Sequence, residues 1–129
     1  MRLWDFIIFL LSLVAGCTRQ PIQLEPISPA LQAEIDYGRE LITHTAQYLG
    51  PKGRVAKLMG SRMNCQNCHL DGGRKPFGIG MQTVHARYPD YRAREGRVLT
   101  LTDRINNCVE RPMNGQPIPA ESREMRAML

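Results

Sequence analysis

A chain of 129 residues supplies one domain rather than two. Seventeen Lys+Arg against twelve Asp+Glu give a formal charge of +5, with hydrophobic residues at 43% and charged residues at 22%. These proportions exclude a wholly disordered chain and a protein of many membrane spans. An aromatic content of only 6% leaves a core that aliphatic side chains or a bound group must complete.

The first segment reads as an address. Arg2 brings a positive charge, and Phe6 to Ala15 form an apolar run of ten residues. A bilayer span needs about twenty, whereas ten suits a signal-peptide core. The run closes on Leu13-Val14-Ala15-Gly16-Cys17, which resembles a bacterial lipoprotein cleavage box. A plain secretory signal with an incidental cysteine is the alternative. Residues 1–16 are expected to be a leader that is removed, and Cys17 the lipid-bearing new N-terminus. One acyl chain anchors weakly, and the lipoprotein modification supplies several. Thr18 leaves no acid after the cysteine, which points to a periplasmic protein on the outer membrane where a cell has one. Pro21, Pro26 and Pro29 mark residues 17–29 as a tether, with the folded domain over 30–129.

Ser28-Pro29 is a helix start, a capping hydroxyl before a proline at the first helical position. Leu31, Ile35, Leu41, Ile42 and Leu49 recur at roughly helical spacing around Gly38, and Gly50-Pro51 stops the run. A small residue in such a helix is often where a second helix crosses closely. His44 falls mid-helix and reads as a packing or surface histidine. Residues 51–64 form a loop or ragged turn.

Cys65-Gln66-Asn67-Cys68-His69 is a Cys-x-x-Cys-His motif, the attachment signature of c-type haem. Two thiols reach the two vinyl groups on one porphyrin edge, and the next residue places an imidazole on the iron. Competing readings fare worse. A thioredoxin-like pair wants a strand before the motif and a helix after it. A zinc site wants a second ligand pair, and only Cys108, His44 and His85 remain. A disulfide across two residues is geometrically poor. Export also favours haem, because c-type haem is attached outside the cytoplasm. One covalent haem c is therefore expected on Cys65, Cys68 and His69.

Asp71-Gly72-Gly73 breaks the motif helix, and Arg74 to Gly80 is a glycine-rich loop. Pro89 makes His85 to Gly96 a short or broken helix. Thr100-Leu101-Thr102-Asp103 starts another helix with a hydroxyl cap and a first-turn acid. Ile105, Cys108 and Val109 share one of its faces. Pro112 ends it, Met113-Asn114-Gly115 is a turn, and Glu121 to Leu129 opens a last helix of at most nine residues. That is fewer than an isolated helix needs.

Cys108 is left over in an oxidising compartment. It is either a buried apolar thiol or a distal iron ligand. Met113, 44 residues past His69, is the rival ligand, since methionine is common on the iron of electron carriers. Met81 and His85 are weaker rivals. Arg74 to Arg111 holds eight basic and four acidic residues, with Arg87, Arg92 and Arg94 beside two tyrosines. These arginines form a solvated face with ion pairs to haem propionates, a funnel for a small dianion, or a docking face for an acidic redox partner. An exported haem protein argues against nucleic acid.

The order helix, haem motif, loops, helix, ligand-bearing loop, helix is that of a small cytochrome c domain. Gly38 to Met128 resembles the haem domain of the thiosulfate dehydrogenase family. The blocks that carry the likeness are Gly38-Arg39-Glu40-Leu41, Tyr48-Leu49-Gly50-Pro51, Asn64 to Leu70, Arg87-Tyr88-Pro89-Asp90-Tyr91-Arg92-Ala93-Arg94-Glu95, and Asp103 to Cys108 with its continuation Glu110-Arg111-Pro112-Met113-Asn114-Gly115. The resemblance implies an all-α, class I-like cytochrome c fold whose last helix, here short or truncated, crosses the first. It implies His69 as proximal ligand and Cys108 as distal ligand where thiosulfate arrives. It also implies coupling of two thiosulfates to tetrathionate, or the reverse. Such enzymes typically carry a second haem domain, whereas this sequence holds one motif. A single-electron carrier working with a periplasmic partner, such as a second cytochrome c, is therefore the leading expectation. The alternative is a catalytic subunit that uses Cys108, Arg87, Arg92 and Arg94.

Overall fold

In the computed structural model, which describes residues 23–129, Ser28 Oγ accepts the Leu31 N–H at 3.2 Å and Pro29 opens the first helix. The expected leader and Cys17 lie outside the described residues. Residues 23–28 are exposed and carry no regular secondary structure. Helix α1 spans Pro29–Thr43. The apolar spacing predicted one helix to Leu49, but the chain breaks at His44 and resumes as α2, Thr45–Leu49. Threonine hydroxyls compete with the helical ladder there. Thr43 Oγ1 donates to Arg39 O at 2.8 Å, and Thr45 is turned inward with no exposure.

The haem-motif segment opens as a 3-10 turn, Cys65–Asn67, followed by a single turn α3, Leu70–Gly73. Asp71, Gly72 and Gly73 all have positive φ, at 54°, 57° and 81°. This is the break that the Asp-Gly-Gly sequence predicted. Another single turn, α4 (Val84–Arg87), is all that forms of the expected short or broken helix. The rest becomes a hairpin of β1 (Asp90–Arg92) and β2 (Arg97–Leu99), paired antiparallel with Tyr91 opposite Val98. Gly96, at φ 64°, closes its turn, with its N–H on Arg92 O at 2.9 Å. Helix α5, Leu101–Glu110, starts on the predicted capping box. Asp103 N–H donates to Thr100 Oγ1 at 3.1 Å, and Thr100 N–H to Asp103 Oδ2 at 2.8 Å.

The last helix, α6 (Arg123–Met128), is short and crosses α1 as expected. A Cβ on Gly38 would lie 2.8 Å from the carbonyl carbon of Ala127 and closer still to its oxygen, so only glycine admits this crossing. Tyr37 Oη donates to Glu124 at 2.9 Å, and Arg123 forks onto Glu34 at 2.8 to 3.1 Å beside the Tyr37 ring. The core joins Leu41, Tyr48 and Leu49 from the first two helices to Met59, Val109, Met113, Ile118 and Met125. Asn106 on α5 ties the following loop to it, accepting from Ile118 N–H at 2.9 Å and donating to Ile118 O at 3.1 Å.

Candidate functional site

Two regions of the chain supply the chemistry. The first holds the haem motif. The break at His44 turns Thr45 inward so that its hydroxyl accepts the Cys65 N–H at 2.9 Å. Asn64 Oδ1 meanwhile accepts the Ala46 N–H at 2.9 Å, joining the motif to α2. Cys65 and Cys68 are free thiols, Cys65 half-buried and Cys68 exposed. Burial pushes the Cys65 thiol up, and Cys108 adds to the shift, so these two sulfurs lie within electrostatic reach of one another.

His69 Nδ1 lies 2.7 Å from the Ile79 carbonyl oxygen. A carbonyl only accepts, so the proton sits on Nδ1 and the Nε2 lone pair is free for a metal. This is the tautomer an axial histidine needs. Cys65, Cys68 and His69 therefore fit a covalently attached haem. The carbonyl comes from a loop in which Phe77 and Ile79 adopt positive φ. Among the described residues, no three His, Cys, Asp or Glu side chains gather into a zinc-type cluster.

The second region runs from the hairpin through α5. A cavity of about 620 Å³ lies between them, and Cys108 lines it together with Arg92, Arg94, Arg104 and Arg111. Glu95 is its acidic lining residue. Arg92 pairs with Asp90 at 3.2 Å, and Arg111 with Glu95 at 3.4 Å. Among the described residues, Arg94 and Arg104 have no carboxylate within 4.0 Å, and these two guanidinium groups remain available to an anion.

Of the arginines singled out in the sequence, Arg92 and Arg94 reach this cavity. Arg87 ends α4, exposed, and is not in the lining. Arg104 and Arg111 were missed. Their signal is helical spacing, since they fall four residues before and three after Cys108, Arg104 within α5 and Arg111 at its C-cap. Met113, the rival ligand, is 4% exposed and packed in the core among Met59, Val109, Ile118 and Met125. His85 is exposed, and His44 pairs with Glu40 at 3.2 Å. Met81 packs against Gly73.

Comparison with known proteins gives one consistent result. The family described as SoxA/TsdA, cytochrome c domain, matches residues 56–129. A thiosulfate dehydrogenase of Psychrobacter arcticus is 33% identical over 97 residues, covering 75% of this chain and 28% of that protein. The thiosulfate dehydrogenase of Stutzerimonas stutzeri is 32% identical over 94 residues, covering 73% of this chain and 29% of the relative. Among solved structures, the thiosulfate dehydrogenase TsdBA of Marichromatium purpuratum, in its as-isolated form, superposes with a TM-score of 0.69. It is 25% identical and covers 91% of this chain and 25% of that one. The chain thus spans under a third of the length of these relatives.

Proposed function

The chain belongs to the SoxA/TsdA cytochrome c family, and from that premise we propose that it binds a thiosulfate-type dianion beside Cys108 and passes the electrons released to a partner cytochrome one at a time. Membership brings covalently attached haem c, held through thioethers of Cys65 and Cys68 and by His69. When bound, the haem supplies reversible one-electron storage.

The observation that carries the reading is the position of Cys108. Cys108 lines an arginine-rich cavity, on the helix that follows the hairpin. The Met113 thioether is instead committed to the core. This supports Cys108 as the residue that would hold the haem iron together with His69. Arg94 and Arg104 would bring two positive charges to a dianion, and guanidinium forks suit its oxyanion end. Coupling two thiosulfates to tetrathionate joins their outer sulfurs and releases two electrons. In the reverse direction a Cys108 thiolate that attacks tetrathionate would displace one thiosulfate and keep the other half as a mixed disulfide, an exchange without net electron transfer, whereas forming that same bond from thiosulfate releases two electrons, which the haem and the partner cytochrome would accept. Two electrons are released and one haem iron stores one, so a second cytochrome haem is the natural acceptor of the other. In the same reading residues 1–16 are a leader, and Cys17 carries the lipid that holds the domain at a periplasmic membrane surface. The Leu13 to Cys17 box supports this part.

A plain electron carrier with methionine on the iron is the competing reading, and one experiment separates the two. Low-temperature EPR and near-infrared magnetic circular dichroism of the ferric holoprotein are expected to show a thiolate signature that Cys108→Ser abolishes. Thiosulfate-dependent reduction of an added acceptor should fall at least a hundredfold in the same variant. An unchanged spectrum would end the cysteine-ligand reading. A methionine-type charge-transfer band would make the protein a carrier ligated by Met113.

A further inference from the structure

Residues 51–64 carry four basic residues, Lys52, Arg54, Lys57 and Arg62, and no acidic one. All four are exposed, and among the described residues none has a carboxylate within 4.0 Å. The helices and the hairpin differ, since Arg39 there pairs with Asp36 at 3.0 Å, Arg92 with Asp90 at 3.2 Å and Arg123 with Glu34 at 2.8 Å. The segment is also held in place. Arg54 N–H and Val55 N–H donate to Gln47 O and Tyr48 O at 3.0 Å, the Arg54 guanidinium lies 4.0 Å over the Tyr48 ring, and Gly60 N–H donates to Asn114 O at 2.9 Å. Against α2 it frames a surface depression of about 390 Å³, lined by Ala46, Gln47, Pro51, Lys52 and Arg62. This depression shares no residue with the cavity beside Cys108, and no residue of the haem motif lines it. Yet Arg62 precedes Cys65 by three residues, and Asn64 fastens that stretch to Ala46.

We infer that the surface formed by Lys52, Arg54 and Arg62 around this depression is the docking site for an acidic-faced, one-electron redox protein. The inference rests on the part of the proposed function in which electrons leave one at a time to a partner cytochrome, and it says where that partner sits. Unpaired charges of one sign on a fastened segment complement a carboxylate-rich face and steer its approach. Uncharged Ala46, Gln47 and Pro51 supply a centre from which water can leave, with charge at the margin, as in other transient interfaces. Position decides what kind of partner profits. Three residues of extended chain reach about 10 Å, so a protein seated over Arg62 lies next to the thiols that fasten the haem. A small anion or a lipid headgroup gains nothing from that proximity, whereas a redox protein needs it. The step served moves one electron from the reduced haem to the partner's oxidised centre, with no bond made or broken.

The test is stopped-flow oxidation of the reduced, haem-loaded protein by two probes, a blue-copper protein with an acidic surface patch and the uncharged para-benzoquinone. Wild type is compared with Lys52→Glu, with Arg62→Glu and with Arg126→Glu on α6, each of which changes the net charge equally. Oxidation by the blue-copper protein should slow roughly fivefold or more in Lys52→Glu and Arg62→Glu and lose much of its salt dependence. Arg126→Glu should slow it less than about twofold, because distant charges are screened. The quinone should oxidise all four proteins at one rate. Neither reaction involves thiosulfate, so the outcome is independent of the anion-binding half of the proposed function. Equal slowing in all three variants overturns the inference by reporting net charge alone, and no slowing in any of them overturns it while electron carriage stands. Slowing with the quinone as well overturns it by assigning the effect to the haem. A wild type that the quinone oxidises and the blue-copper protein does not overturns it too. Binding to phosphatidylglycerol vesicles that Lys52→Glu and Arg62→Glu abolish, with blue-copper rates unaltered, would assign the patch to a lipid surface instead. Oxidation by neither probe removes the electron-carrying reading, and this inference with it.

Discussion

Gly38→Ala is the sharpest test of how α6 is held. Helix propensity alone favours alanine by about 1 kcal/mol, so an uncrowded Gly38 would make the substitution stabilising. The structure demands the reverse. The new Cβ would sit 2.8 Å from the Ala127 carbonyl carbon and nearer its oxygen, against about 3.4 Å for an ordinary contact. Helix α6 must retreat by more than half an ångström, and the bonds that dock it begin at 2.8 to 3.1 Å. Such a retreat takes them to the limit of hydrogen bonding and draws Met125, now fully buried, away from the core. Burial of a methionine side chain is worth about 2–3 kcal/mol, and the exposed Arg123–Glu34 pair adds little. Set against the propensity gain, the expected net destabilisation is about 2 kcal/mol. Urea unfolding of the haem-loaded protein measures it as a lower midpoint at unchanged slope. A neutral or stabilising Gly38→Ala would refute the close crossing.

Two further outcomes concern groups buried nearby. Thr45→Val keeps the shape of a fully buried side chain but removes the acceptor of the Cys65 N–H, and should cost about 1–3 kcal/mol by the same unfolding assay; a neutral result would mean the hydroxyl does not hold the motif. Tyr37 is pushed up from 10.0 to about 12 by burial and by its bond to Glu124. The folded state therefore favours the protonated phenol, a contribution complete below pH 10 and lost as pH rises towards 12. Unfolding midpoints across that window should decline more steeply in wild type than in Tyr37→Phe, and parallel curves would show that the phenol does not titrate with folding.

Elements whose boundaries rest on local chemistry were legible in the sequence. Ser28-Pro29 and the Thr100–Asp103 box each begin a helix where their side chains satisfy free N–H groups, and Asp71-Gly72-Gly73 ends one. The tight crossing at Gly38 was legible too, because a helical glycine has few other uses. The hairpin at Asp90 to Leu99 was hidden. Its strands are three residues each, too short for an alternating pattern to register, and charged residues occupy two of the three positions in β1. The break at His44 was hidden because the apolar spacing continues through it, while its cause is a competition between threonine hydroxyls and the backbone. The arginines of α5 were present in the charge count but unassigned. Their relation to Cys108 emerges only once that stretch is known to be helical.

The chain keeps its two chemistries in separate stretches. The hydrogen bonds that position the haem-attachment motif come from residues between Thr43 and Ile79, and the residues lining the large cavity lie between Tyr91 and Pro112. The buried Leu99 moors the hairpin immediately before the cap of α5, so the arginine-bearing turn and the cysteine-bearing helix move as one cassette. Lengthening or rewriting the exposed turn at 93–96 would reshape what the cavity admits without disturbing how the haem is fastened. Under the proposed reading, anion preference would then rest on this exposed loop, while the attachment through Cys65, Cys68 and His69 stays as it is.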